Sequence, residues 1–512
     1  GRRKVVSQKI KDGRIDMKRF LVLFAGVLSC MLILQGCSAN KGRGDYYYRA
    51  PAAADESYSY DGIKENNFSL ASEKNTSTFS LDRNTTSYSI ARRQITDGAI
   101  PAADSVRIEE YVNYFSYDYD EPTDGKPLSI SGSLSDCPWN SEHKLFTVGV
   151  AAKKIDFSQK KQNNLVFLID VSGSMFGSDR LGLIQQSFAM LSENLDDDDY
   201  VSIVTYASGT KVVAEGLRGS RKTEICAILE DLEAGGSTAG ASGIQLAYKT
   251  ASKYFIQDGN NRVLLATDGD FNVGISSKNE LKSFISQKRD SGIYLSVLGV
   301  GMYNTRDDLM ETLARNGNGN YGYLDSITEA RKMLVTEMGG TLETVAKDAK
   351  IQVAFNPETV EKYRLIGYEN KMMSDADFDD ENKDAGEIGS GHTVTAVYEI
   401  ELKDGADGGF ASAVIRCKDP GTDESIEING EFATDMYTQS PSEDVVFIGC
   451  VTEFGLLLRE SEYKGNASWE SVIARLRVLP SVSGDGGSGD EFRMEFLTVV
   501  RKAASLYGSR NQ

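Results

Sequence analysis

The hydrophobic positions change their rhythm along the chain. From Asn164 onward, continuous apolar runs alternate with stretches in which apolar residues recur every three or four positions. NLVFLID and RVLLATDGDFN carry unbroken runs, the pattern of strands covered on both faces. Between them, DRLGLIQQSFAMLSENL spaces Leu181, Ile184, Phe188 and Leu191 as a helix does. DYVSIVTYAS and KVVAEGL predict two more strands, RKTEICAILEDLE and TAGASGIQLAYKTASKYF two helices. KNELKSFISQKRDSG, IYLSVLGVG, DDLMETLARNGNG, NYGYLDS and TEARKMLVTEMGG continue the alternation. Residues 162–340 therefore predict an α/β domain built on a doubly wound, mostly parallel, Rossmann-like sheet. Such sheets bind ligands beyond the carboxyl ends of their strands.

The flanks read differently. Residues 76–161 mix strand-like and helix-like pieces, with Pro101 at a plausible helix start and HKLFTVGVAAKKIDF as a strand, and predict an α+β region packed beside the domain. Beyond residue 340, KIQVAFNP, YRLIGYE, TVTAVYEIEL and SAVIRCK are strand-like and separated by polar loops. SWESVIARLRVLP and EFRMEFLTVVRKAASLYG are helical, so residues 341–512 predict a β-rich module closed by helices. The glycines of SGDGGSGD between them lack the lysine and hydroxyl residue of a phosphate loop.

The amino end is not fold. From Met17 the chain reads MKRFLVLFAGVLSCMLILQGC: a basic pair, then an apolar run from Phe20 to Leu34 too short to span a bilayer comfortably. Its end, Leu34-Gln35-Gly36-Cys37, resembles the lipobox of bacterial lipoproteins, which implies a signal peptide over residues 17–36 and acylation of Cys37. Residues 37–75 have few aliphatic side chains and no sustained period, the composition of a flexible tether. The Arg43-Gly44-Asp45 tripeptide within it reads as a coincidence of composition. Without Cys30 and Cys37, four thiols remain, Cys137, Cys226, Cys417 and Cys450, with no C-x-x-C spacing to suggest zinc or a redox pair. Cys226 falls in a helical pattern and reads as a buried thiol.

Charge narrows the function. The formal net charge is −19 and becomes −25 once residues 1–36 take away eight Lys/Arg and two Asp/Glu. That excludes the basic stripe of a nucleic-acid binder. The two histidines, His143 and His392, stand in unremarkable polar stretches and argue against His-dependent hydrolysis or His-ligated zinc.

Three loops at strand carboxyl ends carry hard oxygen donors. Asp170, Ser172 and Ser174 leave the first strand of the domain, Thr238 sits in GGSTAG before a helix, and Asp268 ends a central strand in ATDGD. D-x-S-x-S, a later threonine and a later T-D-G, in that order, resemble the metal-ion-dependent adhesion site of von Willebrand factor A domains. The resemblance covers residues 162–340, and the flanking regions resemble those of bacterial von Willebrand factor A lipoproteins. It implies Mg²⁺, with Mn²⁺ as a substitute, coordinated directly by Ser172, Ser174 and Thr238, with Asp170 and Asp268 holding bound waters. It further implies a partner protein that offers a carboxylate to the ion.

The reading that follows is a non-enzymatic adhesion or scaffold module of the bacterial cell envelope, lipid-anchored on the periplasmic face of the outer membrane. A metal-assisted hydrolase is the alternative; it needs an extra base near the ion, for which Asp270 is the one nearby candidate. Two other acidic clusters compete for cations. Asp375, Asp377 and Asp379 have EF-hand spacing but lack the glycine and the glutamate of that loop, and Asp196–Asp199 reads as a solvated connection.

Overall fold

The computed structural model describes residues 62–155, 161–237, 240–269, 278–301, 307–337, 343–484, 487 and 489–510. The expected signal peptide, Cys37, Thr238 and Asp270 lie outside the described residues.

The amino-terminal segment supplies strands β1 (Ser69–Leu70) and β2 (Thr76–Ser80), helices α1 (Thr86–Thr96) and α2 (Ile108–Val112), and strands β3 (Leu128–Asp136) and β4 (Lys144–Ala152). The central domain follows. Its strands are β5 (Asn163–Asp170), β6 (Tyr200–Tyr206), β7 (Thr210–Arg218), β8 (Asn260–Thr267), β9 (Ile293–Gly299) and β10 (Tyr321–Tyr323), in the order β10-β9-β8-β5-β6-β7. Only the β6–β7 pair is antiparallel; the other neighbours are parallel. Helix α3 (Leu181–Glu193) packs on one face of the sheet, where Phe188 stacks on Phe167 at 4.2 Å. Helix α5 (Gly240–Lys253) covers the other, after the shorter α4 (Lys222–Glu230). Every residue of β5 and of β8 is buried, which is why their sequences show no alternation. The doubly wound, mostly parallel sheet expected over residues 162–340 is therefore the observed one.

The flanking segments do not form separate modules. Strands β11 (Thr344–Phe355), β12 (Val360–Ile366), β13 (Gly386–Gly389), β14 (Thr393–Leu402), β15 (Gly409–Lys418), β16 (Ser425–Ala433) and β17 (Tyr437–Thr438) interleave with the amino-terminal strands. One sheet runs β1-β12-β14-β4-β3-β17, and in the other β2 pairs with β11. The two pack face to face around Phe146, whose ring lies 4.9 Å from Phe410 and 5.0 Å from Phe432. On the outer face of the first sheet, Leu145 and Val397 join a second core built from the helices near the two ends of the described chain. Strand β4 is buried from Leu145 to Ala152, so neither of its edges could face water, and β3 and β14 cover both.

Three expectations are corrected here. The amino-terminal region and the β-rich carboxyl-terminal region are one body built from both ends. The tether ends before residue 75: the Asn66 amide donates to the carbonyls of Leu365 and Gly367 at 3.2 and 2.9 Å, and Ser69 pairs with Tyr363. Asp199 is not solvated; it is buried and accepts from the Asn163 and Asp196 backbone amides at 2.7 and 2.9 Å, tying the loop to the start of β5. The two histidines have polar neighbours: His143 is buried with Nδ1 2.6 Å from Glu399, and His392 stands beside Arg83, Lys332 and Glu337.

The EF-hand-spaced acids are engaged by the protein itself. Asp375 accepts from Thr76, Thr78 and Gln352, Asp377 caps its own short helix, and Asp379 pairs with Arg416. The four thiols are free, three of them buried and Cys226 partly exposed. No helix among the described residues is long and apolar enough to cross a membrane.

Candidate metal centre

Parallel register brings the site together. Strand β5 lies between β6 and β8, Asp170 pairs with Tyr206, and Ile169 pairs with Ala266. Asp170, Tyr206 and Thr267 therefore end their strands on one rim, and Asp268 follows directly. Beyond Asp170 the chain makes a single 3₁₀ turn, Gly173–Met175, which aims Met175 into the core and leaves the serines at the rim.

Asp170 is inaccessible to solvent, and Ser172 and Asp268 nearly so. The Ser172 amide donates to Asp170 Oδ1 at 2.9 Å, and the Thr267 hydroxyl lies 3.3 Å from Oδ2. The Ser172 and Ser174 hydroxyl oxygens are 3.0 Å apart. Burial pushes the Asp170 carboxyl up to about 6; bonds from Ser172 oppose that rise, and the neighbouring Asp268 charge adds to it. No lysine or arginine among the described residues pairs with Asp170.

A second loop closes over the first. The Gly173 amide donates to the Gly236 carbonyl at 2.9 Å, and the Gly235 amide to the Val171 carbonyl at 2.8 Å. Gly236 has φ +86°, and a Cβ there would stand 2.5 Å from Ser208 Oγ, so this approach requires glycine. The next residue, Ser237, donates its amide to the same Ser208 oxygen at 2.9 Å. Thr238 comes directly after it.

Four of the five expected ligands are thus described, and all four fall on this rim. Three supporting residues escaped the sequence reading. Tyr206, fully buried, places its hydroxyl among Asp170 and Thr267, and burial, with the Asp170 charge, holds that hydroxyl well above the ordinary phenol range. The carboxyl-end rule applied to DYVSIVTY would have found it. Arg180 donates to the Ser174 carbonyl at 2.6 Å and braces the loop from outside. Thr267 was visible in ATDGD but was passed over for the aspartate beside it.

The donor set fits a hard divalent cation. The buried Asp170 carboxylate accepts from the Ser172 amide and the Thr267 hydroxyl, Asp268 is buried beside it, and no group of three or more His, Cys, Asp or Glu side chains converges among the described residues. A soft metal would find no thiolate or imidazole here.

Residues 164–335 match the family described as von Willebrand factor type A domain. Residues 54–147 match the description von Willebrand factor, and residues 340–409 and 403–506 match Uncharacterized protein YfbK, C-terminal. Uncharacterized protein YfbK of Escherichia coli (strain K12) is 38% identical over 470 residues, which cover 87% of this chain and 80% of that protein. Uncharacterized protein sll0103 of Synechocystis sp. is 26% identical over 203 residues, 40% of this chain and 47% of that one. Among solved structures, a von Willebrand factor type A protein from Catenulispora acidiphila is 14% identical, covers 76% of this chain and 89% of that one, and has a TM-score of 0.40.

Proposed function

Because the chain belongs to the bacterial von Willebrand factor type A domain family, we propose that it is a membrane-anchored, metal-dependent binding module of the cell envelope. Domains of this family commonly serve as metal-dependent protein-interaction modules rather than as enzymes. Asp170, Ser172, Ser174, Thr238 and Asp268 would hold Mg²⁺ or Mn²⁺. When bound, the ion would supply a Lewis-acid vertex for a carboxylate on another protein.

The single observation that carries this reading is the buried Asp170 carboxylate, with no cationic side chain paired to it among the described residues, beside two hydroxyls 3.0 Å apart. The chain's own groups do the preparing. Ser172 and Thr267 orient Asp170 by hydrogen bonds, and the Gly173–Gly236 contact holds the second loop against the first. A chain of net charge −25 once residues 1–36 are removed repels an acidic partner at long range, so contact through a cation confers selectivity on the rim. The anchor rests on Leu34-Gln35-Gly36-Cys37, and the periplasmic face of the outer membrane is the proposed location.

The test is affinity capture from solubilised envelope with wild type and Asp170→Ala, with and without chelator. A partner retained by wild type alone, and released by chelator, supports the proposal; a partner indifferent to both rejects it.

A further inference from the structure

A cavity of about 700 Å³ lies between the central domain and the flanking body. The central domain contributes Lys282 of helix α6 (Lys278–Asp290), the carboxyl half of helix α7 (Asp307–Asn316) and the loop of residues 318–320. That loop leads into β10, so the cavity stands at the amino ends of the parallel strands, opposite the Asp170 rim. The flanking body contributes the loop after β2, residues 370–373 and the chain that enters β13.

The charge of the wall runs against that of the chain. Six cationic side chains, Arg83, Arg107, Lys282, Arg315, Lys371 and Lys383, line it together with five acidic ones. Four of the six are engaged: Arg83 by Glu337, Arg107 by Glu110 and Glu311, Lys371 by Asp82, and Lys383 by Asp377. The side chains of Lys282 and Arg315 make no hydrogen bond or ion pair among the described residues, although the Arg315 charge reaches Asp384. They stand on neighbouring helices. Ser286, one turn beyond Lys282 on the same face of α6, donates to Asn316 Oδ1 at 3.4 Å, and Asn316 follows Arg315.

The wall also holds two buried polar atoms without a hydrogen-bond partner, Asn84 Nδ2 and Glu387 Oε2. Asn84 Oδ1 is occupied by the Thr86 amide at 3.0 Å, which leaves the amide nitrogen to donate elsewhere. Burial, with the neighbouring Asp348 charge, pushes the Glu387 carboxyl well above the ordinary carboxylate range and so favours its donating form. A buried polar atom left unpaired costs stability, which a group entering the cavity recovers. Tyr321 is the one aromatic residue on the wall among the described residues, so stacking on a base or an apolar ring has little to rest on.

We propose that this cavity binds a small hydroxylated anion, a sugar acid or a sugar phosphate, with Lys282 and Arg315 meeting its charge and Asn84 and Glu387 its hydroxyls. The volume falls among small-molecule sites, which span roughly 300–1,000 Å³, and exceeds what a bare inorganic anion fills. The site shares no residue with the Asp170 rim, and it needs no metal.

The experiment uses the full chain in detergent with chelator present, titrated by calorimetry with glucuronate, glucose 6-phosphate, glucose and inorganic phosphate. Glucuronate or glucose 6-phosphate should bind at least about ten-fold more tightly than glucose or inorganic phosphate, and the tighter of the two identifies the anionic group. Lys282→Glu and Arg315→Glu change side chains without partners, so each should keep the wild-type melting temperature and weaken that ligand about ten-fold or more. Asp170→Ala should bind it as wild type does. Equal affinity for glucose and both anionic sugars, or tight binding that survives both charge reversals, overturns the proposal and leaves the metal reading in place. Inorganic phosphate binding as tightly as glucose 6-phosphate overturns the role given to the hydroxyls.

Discussion

Arg93 and Asp179 stand 3.3 Å apart, Nη2 to Oδ2, and join the flanking body to the loop that leads out of the Asp170 rim. The Arg93 guanidinium also donates to the Asp325 carbonyl, and its neighbour Arg92 is forked between the Asp325 and Glu329 carboxylates at 2.7 Å each. The two arginines differ in burial. Asp179 is 43% exposed, whereas Arg92, Asp325 and Glu329 are all at or below 5%.

Arg92→Ala should therefore destabilise the chain by about 3–5 kcal/mol, because two carboxylates stay buried without their counter-charge. Arg93→Ala should cost under about 1 kcal/mol. Urea unfolding of both variants checks the contrast, and equal losses would show that burial is not what separates them.

Removing single ligands should separate metal affinity from folding. Ser174→Ala and Thr238→Ala take away a hydroxyl without changing charge, so Mg²⁺ binding should weaken by calorimetry while the metal-free melting temperature holds. Asp268→Ala should weaken binding as well and raise the metal-free melting temperature slightly, because the Asp268 charge disfavours ionised Asp170. For wild type, metal at one hundred times its dissociation constant should stabilise the fold by about 2.7 kcal/mol. Unchanged affinity in all three variants would mean that the site is elsewhere.

Gly236→Ala should reduce metal affinity without touching a ligand. Its Cβ would sit 2.5 Å from Ser208 Oγ, and that oxygen cannot turn away without giving up the Ser237 amide, one residue before Thr238. The left-handed backbone adds about 1 kcal/mol of strain. Gly235, where a Cβ would meet nothing within 4 Å, is the matched control, and Gly235→Ala should bind metal nearly as wild type does.

His392 sets an acid limb. Its Nε2 atom is buried without a hydrogen-bond partner among the described residues. Burial, with the nearby Arg83 charge, lowers its pKa to about 3. The unfolded chain takes up this proton near pH 6.5 and the folded chain does not, so stability is complete above pH 6.5 and declines as pH falls toward 3. The loss between pH 6.5 and 5 should be roughly 1–2 kcal/mol, and His392→Gln should flatten it in denaturant titrations at each pH.

Cys37→Ser should abolish labelling by a palmitate analogue and release the chain from sedimenting membranes. Labelling that persists in the variant would reject the lipid anchor.

The central domain was legible because its elements are local. The unbroken apolar runs of β5 and β8 and the helical spacing of Leu181, Ile184, Phe188 and Leu191 each occupy fewer than twenty consecutive residues. The rim followed from the same pattern, since a parallel sheet places the carboxyl ends of its strands together whatever their order. Tyr206 ends its strand on the same rim, but its ring reads as core, and only the carboxyl-end rule marks the hydroxyl as part of the site. The flanking body was misdivided for a deeper reason. The sequence of β4 shows that it is buried but not by what, and its partner β14 lies about 240 residues away. Asp199 was misread alike: a run of four aspartates looks solvated, and nothing in it marks the one whose oxygens satisfy Asn163.

That long-range pairing imposes an order in time. When β4 leaves the ribosome, the strand that completes its sheet has not been made, and at about 5–20 residues per second it arrives roughly 10–50 s later. The central sheet, whose strands are β5 to β10, can pair during that interval. An unpaired apolar strand meanwhile waits beside a finished domain. A chain halted or cleaved after residue 340 would keep the Asp170 rim yet leave one edge of β4 unpaired, an aggregation-prone fragment.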